Sequence, residues 1–193
     1  MPRRDSTLPF WRAWNTTEAE QSKPLPCDDL IPEPQDVLHR AIDVNAPVEF
    51  LFVRLCQMRV APYSYDILDN FGKKSPAEAT VAASDLAIGD PIMTIFSLQA
   101  LEVDRQMTIS MTHPKGLAVF GALAITYRTW ALSAERSRLV IRMLMSYPPR
   151  YPARITKHVL RFGDWFMCQK QLRTFKKYAE ADFKLTTTER SLT

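Results

Sequence analysis

The sequence lacks the residue patterns that mark several common classes of protein. It has three cysteines, Cys27, Cys56 and Cys168, and no Cys-x-x-Cys pair, so a disulfide framework or a zinc site is not expected. Reduced thiols are typical of a cytoplasmic protein, which is the location we predict. The longest apolar run, residues 117–125, falls short of the roughly 20 residues that a membrane-spanning helix needs. No P-loop, Gly-x-Gly-x-x-Gly, Gly-x-Ser-x-Gly or His-Glu-x-x-His motif is present, so we predict no cofactor and no metal.

The charge balance is mildly basic. Twenty-five Lys and Arg residues against 21 Asp and Glu residues give a formal net charge of +4. This is well short of the basic fields of a dedicated nucleic-acid-binding protein, so we predict no nucleic-acid partner. A length of 193 residues, 46% of them hydrophobic, is enough for one domain with a sizeable core.

Proline separates an N-terminal arm from the rest of the chain. Six of the 14 prolines fall within residues 1–34, where we predict an irregular arm. A folded domain over residues 35–182 and a flexible tail over residues 183–193 complete the predicted organisation. The arm carries Phe10, Trp11 and Trp14 beside basic residues. These aromatic residues fit a strap folded back into an apolar groove, a contact with a membrane surface or partner, or simple disorder.

Hydrophobic periodicity predicts an α+β domain. Alternation over residues 37–44 predicts a first strand, and the apolar spacing after Asn45 and Pro47 predicts a helix ending near Arg59. A helical turn over residues 67–71 and a second helix over residues 76–84 should follow. Four strands are then predicted over residues 92–103, 105–112, 117–132 and 137–147, before a long amphipathic helix over residues 154–180. A twisted antiparallel sheet closed by that helix is the simplest body this order can form.

The predicted inner face of the sheet is rich in methionine. Odd-numbered positions are apolar in the strands predicted over residues 105–112 and 137–147, and less clearly over residues 117–132. They include Met107, Met111, Met143 and Met145, and Met93 could join them. Thioether side chains adapt to irregular surfaces, so these residues fit either a solid core or the wall of a cavity for an apolar guest. The final helix has a wide apolar stripe, and its other faces are basic. That basic face is consistent with plain solvation or with attraction to anionic lipid or RNA.

Three segments resemble a known superfamily. Residues 42–52, Ile-Asp-Val-Asn-Ala-Pro-Val-Glu-Phe-Leu-Phe, resemble the "ideAPaevvw" opening of the START-like (SRPBCC) superfamily, which includes polyketide cyclases, lipid-transfer proteins and a plant allergen group. Residues 61–70 look like a segment of a bacterial subset of these proteins, and residues 137–140 resemble its penultimate strand. The resemblance implies a helix-grip fold, in which a curved antiparallel sheet wraps a long C-terminal helix and two short helices follow the first strand.

The resemblance also implies a function. We expect the chain to bind or carry a hydrophobic small molecule, such as a lipid or polyketide, in an apolar cavity between sheet and C-terminal helix. The alternative is an enzyme of the polyketide cyclase or dehydratase type that uses polar groups in the same cavity. The superfamily shares no catalytic residue set, so no catalytic residue is assigned, although His113 and Arg105 could reach such a cavity. Peripheral membrane contact is a further predicted interaction. The predicted ligand-binding residues are Tyr63, Tyr65, Met93, Met107, Ile109, Met111, Tyr127, Ile141, Met143, Phe162 and Phe166.

Overall fold

The computed structural model describes residues 7–60, 78–148 and 153–191, with side chains in the last range from residue 166 to residue 188. Seven strands and five α-helices are found in these ranges. The strands are β1 Ala13–Trp14, β2 Asp36–Val44, β3 Pro91–Ile92, β4 Phe96–Glu102, β5 Gln106–Met111, β6 Ala122–Ser133 and β7 Arg136–Ser146. The helices are α1 Glu18–Ser22, α2 Cys27–Leu30, α3 Val48–Cys56, α4 Pro114–Phe120 and α5 Ala153–Ser191, with 3₁₀ turns at Gln57–Arg59 and Ala83–Asp85.

All seven strands form one sheet in the order β1-β2-β7-β6-β5-β4-β3. Every pairing is antiparallel except that of β1 with β2. The central pairs are long: β2 pairs with β7 from Asp36↔Met145 to Val44↔Ser137, and β6 pairs with β7 over most of their length. The final helix α5 packs on this sheet and against α3. The predicted helix-grip fold is therefore confirmed.

Helix α5 lies on the inner face of the sheet through the stripe Cys168, Leu172, Phe175 and Ala179, all of which are buried. The three- and four-residue steps of this stripe keep it on one side of a helix. Ion pairing fixes its far end, where Asp182 accepts hydrogen bonds from the buried guanidinium of Arg54. The helix continues to Ser191, so residues 183–191, predicted to be a flexible tail, are helical.

Strand parity predicted the inner face correctly. Met107, Ile109 and Met111 of β5 and Leu139, Ile141, Met143 and Met145 of β7 are all buried in the main core. The prediction of a strand from residue 117 was wrong, because residues 114–120 form helix α4 and β6 begins at Ala122. Pro114 occupies the first turn of this helix, and Gly121, at φ +82°, ends it.

The second predicted helix is also displaced. Residues 67–71 and 76–77 lie outside the described residues, residues 78–82 are not helical, and a 3₁₀ turn forms instead at Ala83–Asp85. The side chain of Gln57 gives the physical reason. Its Oε1 accepts from the backbone N–H groups of Thr80 and Val81 at 2.8 and 3.0 Å, and its Nε2 donates to the Val81 carbonyl at 2.7 Å. Backbone groups bound in this way cannot close helical turns.

The N-terminal arm, predicted to be irregular, is folded onto the outer face of the sheet. It contains β1, α1 and α2, and Thr17 and Glu20 form a capping box at the start of α1. Cys27 and Leu25 pack with Ala124 and Leu144 in a small second core. The Thr126 hydroxyl accepts from the Cys27 backbone N–H at 3.1 Å. The face of the sheet opposite α5 is thus covered by the arm over β5 to β7.

Two arginines of β7 attach the arm to the sheet. Arg138 donates to both carboxylate oxygens of Glu20, at 2.6 and 2.9 Å, and to Asp43 at 2.6 Å. Arg142, which is 5% exposed, pairs with Asp28 and donates to the Lys23 carbonyl at 2.8 Å. Burial by itself would raise the pKa of Glu20, but hydrogen bonds and charge from Arg138 outweigh it and lower the pKa. Charge-assisted bonds at this depth hold the arm firmly against the strands.

His39 lies beside Arg142 on the same outer face. It pairs in register with Arg142, is 4% exposed, and its Nδ1 has no hydrogen-bond partner among the described residues. Burial, with the charges of Arg142 and Arg40, lowers its pKa from 6.5 to about 4, and the smaller effect of the Asp28 charge opposes the shift. The imidazole is therefore neutral in the folded protein near pH 7.

Acidification should destabilise the protein through His39. The unfolded chain binds this proton first, at a pKa of about 6.5, so the contribution is complete above that pH and is lost as the pH falls towards 4. From pH 7 to pH 5 we expect a loss of about 2 kcal/mol of unfolding free energy, measured by urea titration. The loss should shrink in His39→Gln and persist in His113→Gln, whose site is exposed. An unchanged pH slope in His39→Gln would contradict this assignment.

Gly121 should tolerate no side chain. A Cβ there would overlap the carbonyl oxygen of Ser146, whereas a Cβ on Gly89, also at positive φ, would meet no described atom within 4 Å. We expect Gly121→Ala to lower the unfolding free energy by about 2–4 kcal/mol, from backbone strain and overpacking, and Gly89→Ala by about 1 kcal/mol. Chemical denaturation of both variants measures the difference, and equal losses would show that the Ser146 contact is unimportant.

Candidate functional site

The candidate site is the inner surface, which we define as the face of the sheet covered by α5. Seven of the predicted ligand-binding residues come together there, six of them buried and Met93 half-buried: Met93, Met107, Ile109, Met111, Tyr127, Ile141 and Met143. Strand pairing explains this proximity, because Ile109, Ile125 and Met143 occupy one row across β5, β6 and β7. Met58, from the 3₁₀ turn after α3, joins the same cluster.

A polar pair lies within this apolar surface. The Tyr127 hydroxyl donates to Oε1 of Gln171 on α5 at 3.1 Å, and both side chains are buried. The Gln171 amide approaches the sulfur atoms of Met93 and Met58 at 3.6 and 3.8 Å. Gln171 was not predicted, although it lies on the buried stripe of α5, three residues after Cys168 and four before Phe175. The pair connects sheet to helix on the inner surface, in the strand row of Met107 and Ile141.

Half-buried side chains lie beyond one end of the inner surface. Met107, Ile109 and Ile141 are completely buried, whereas Met111, Met143 and Met145 are 4–6% exposed. Beyond them, at the start of β2 and β6 and the end of β7, Leu123 and Tyr147 are half-buried. We call this region, formed by Asp36, Met111, Leu123, Met145 and Tyr147, the open end of the inner surface.

A carboxylate is buried at the open end. Asp36 faces inward with Met145, its partner in the sheet, and its side chain is completely buried. One oxygen accepts from Arg12 at 2.8 Å and the other from the Tyr147 hydroxyl at 2.6 Å. Sequence periodicity could have revealed Asp36, because it shares the parity of Leu38, but it was assigned to no face. The open end therefore contains a polar cluster, in which the Asp36 carboxylate contacts both Arg12 and the Tyr147 hydroxyl.

Four other predicted residues are not placed on the inner surface. Tyr63, Tyr65 and the side chain of Phe162 lie outside the described residues, and the ring of Phe166 is 57% exposed. Arg105 does not face inward; its side chain is 77% exposed and lies 3.6 Å from Glu102. His113 is exposed ahead of α4. Both are therefore separated from the inner surface.

The outer face carries a groove that the sequence did not suggest. Its volume is about 1130 Å³, and it lies between the arm and strands β5 to β7. Its walls mix charges of both signs with Trp130 and Val140. Desolvation and the nearby charge of Glu49 raise the pKa of Asp104 at its rim. No single ligand charge is favoured by this lining.

Metal and thiol chemistry find no support among the described residues. Across residues 7–60, 78–148 and 153–191 no three His, Cys, Asp or Glu side chains are grouped as metal ligands. All three cysteines are buried, and none of them forms a disulfide. Burial raises the pKa of Cys27, and burial, with the charge of Asp104, raises that of Cys56 to about 12. Both thiols are thus un-ionised near pH 7 and are poor nucleophiles.

In the part of the chain described here, no helix is apolar over enough length to cross a bilayer.

This architecture defines the chain as a helix-grip protein. No protein-family model matches the sequence, and no curated protein matches it. Among solved structures it is similar to the Zhui aromatase/cyclase from Streptomyces sp. R1128, with 14% identity, a TM-score of 0.46, and coverage of 75% of this chain and 93% of that one.

Two further similar structures were found. Norcoclaurine synthase from Thalictrum flavum has 11% identity, a TM-score of 0.47, and coverage of 74% and 84%. The di-domain ARO/CYC BexL of the BE-7585A biosynthetic pathway has 10% identity, a TM-score of 0.49, and coverage of 76% and 47%. Because these TM-scores are below 0.5, the fold assignment depends on the strand order and final helix of this chain itself.

The Tyr127–Gln171 pair should couple sheet and helix energetically. We expect Tyr127→Phe to cost about 1–2 kcal/mol of unfolding free energy, because it removes a donor from a buried amide oxygen. The double variant Tyr127→Phe/Gln171→Met should cost less than the sum of the two single variants, since it removes both polar groups. Urea unfolding of all four proteins measures the coupling energy, and strict additivity would contradict a direct interaction.

Proposed function

We propose that this protein binds and carries a hydrophobic small molecule, such as a lipid or polyketide, between the inner surface and α5. The observation that carries the proposal is that most of the methionines lie in one cluster on the inner surface. Six of the eight methionines in the sequence, at positions 58, 93, 107, 111, 143 and 145, belong to or pack against one cluster. Unbranched thioether side chains change rotamer at low cost, which suits a wall that must fit guests of irregular shape.

The open end is the place where a guest would enter. Met111, Met143 and Met145 are slightly exposed there, while Met107 at the opposite end is completely buried. Only four residues separate Pro148 from the start of α5 at Ala153, which limits that gap to about 18 Å. The first turns of α5 therefore start near the open end, and a guest entering there lies between helix and sheet.

The buried carboxylate would orient the guest. A few polar groups in an apolar site fix the direction of a bound molecule. The Tyr147 hydroxyl and Arg12 both contact Asp36, so a polar head group at the open end meets donors and an acceptor together. An apolar tail would then extend towards Tyr127 and Gln171.

A cyclase or dehydratase activity is the second candidate. It is favoured by the same Asp36–Tyr147 contact of 2.6 Å, because a carboxylate and a phenol are groups that can move a proton. This function differs from carriage in requiring one of these groups to touch a reacting atom of the bound molecule.

Narrowing the open end should reduce binding of an apolar probe. We expect Leu123→Trp to raise the dissociation constant of the neutral dye N-phenyl-1-naphthylamine roughly fivefold or more, because it fills space beside Met145. Fluorescence titration measures this, and native mass spectrometry of the gently purified wild type should detect a co-purified apolar molecule.

The matched control is Leu132→Trp, the same substitution at the other end of β6, where the leucine is 45% exposed. It should leave dye binding within about twofold of the wild type. Wild-type protein that binds no dye and carries no molecule would refute the proposal. If both substitutions weakened dye binding equally, the open end would not be the entry site for the guest.

A further inference from the structure

The outward side of α5 carries charge of one sign. From residue 166 to residue 188, its exposed charged residues are all basic: Lys170, Arg173, Lys177 and Lys184. Steps of three, four and seven residues place them along one side of the helix. We call these four residues the basic stripe.

The two acidic residues of the same segment, Glu180 and Asp182, are half-buried. Glu180 accepts a hydrogen bond from the Asn45 backbone N–H at 2.8 Å and lies 3.5 Å from Lys176. Asp182 pairs with the buried Arg54. Both carboxylates help to fix the helix to the domain. Glu180 also lines the groove beside the stripe, so this surface keeps an excess of positive charge but is not purely basic.

Exposed apolar side chains lie at both ends of the stripe. Leu185 is 65% exposed and Phe166 is 57% exposed. They are 19 residues apart, so they bracket about 28 Å of helix. Between them, a shallow groove of about 380 Å³ is lined by Arg173, Lys176, Lys177, Glu180, Ala181 and Lys184. The surface thus combines positive charge with apolar side chains able to enter an interface.

We propose that the basic stripe docks the protein on an anionic lipid surface. Lysine and arginine attract acidic head groups additively, and apolar side chains at the same level enter the head-group region. The exposed Leu185 and Phe166 favour a lipid surface over nucleic acid. A nucleic-acid site would have a denser field of positive charge, together with aromatic side chains on which bases stack. This interaction is independent of the proposed cargo, since it uses the solvent side of α5 and none of the inner surface.

Vesicle flotation of the full chain tests the proposal. The vesicles are phosphatidylcholine alone, or phosphatidylcholine with about 30% phosphatidylglycerol, at low salt. Wild-type protein should bind the anionic vesicles, less so as salt rises, and should not bind the neutral ones. The quadruple variant Lys170→Gln/Arg173→Gln/Lys177→Gln/Lys184→Gln should bind roughly tenfold more weakly or worse.

A matched variant separates local placement from net charge. Lys23→Gln/Arg105→Gln/Lys115→Gln/Arg136→Gln removes four exposed basic residues elsewhere and, like the stripe variant, lowers the formal net charge from +4 to 0. It should keep vesicle binding within about twofold of the wild type. In wild-type protein, Leu185→Gln should weaken binding severalfold without changing its salt dependence.

Four results would overturn the proposal. They are no binding to anionic vesicles, equal binding to neutral vesicles, equal loss in both quadruple variants, and a stripe variant that loses binding to a single-stranded RNA but keeps vesicle binding. Thermal unfolding checks that both variants are folded, and the dye titration of the inner surface should be unchanged in the stripe variant.

Discussion

The alternation of strand β7 is the constraint on which the rest of the structure depends. One face of this strand presents Leu139, Ile141, Met143 and Met145, and the other presents Arg138 and Arg142. Neither face is left to water, because α5 covers the apolar side and the arm supplies carboxylates and carbonyls to the basic side. The sheet is thus the middle layer of three, and both outer layers are recruited by residues of one strand.

Much of this could be predicted from the sequence, because period-two alternation is a strong signal where one face is apolar. It placed Met107, Met143 and their neighbours on the inner face correctly. It failed at residues 114–120, where apolar residues in a short window fit helix and strand equally well and Pro114 with Gly121 decided for a helix. It also failed at residues 78–82, because the competing interaction comes from Gln57, more than 20 residues earlier.

The polar members of the site were harder to predict for a related reason. Gln171 and Asp36 occupy positions that periodicity assigns to the interior, but a polar residue there is ordinarily discounted unless its partner is known. Their partners, Tyr127 and the Arg12–Tyr147 pair, come from distant elements. The contacts of the arm could not be predicted for the same reason, because the residues that anchor it lie more than 100 positions later, in β7.

The short strand β1 has a consequence for how molecules of this protein meet one another. Without it, β2 would be a nine-residue edge strand with unpaired backbone groups, a template on which another chain can add. The pairing of Ala13 and Trp14 with β2 covers part of that edge. Arg40 holds this part of the arm in place by donating to the carbonyls of Trp11 and Arg12 at 2.9 and 3.0 Å. At the opposite edge β3 is only two residues long and begins with Pro91, which has no N–H to offer. Both edges of the sheet are therefore protected against pairing with strands of other molecules.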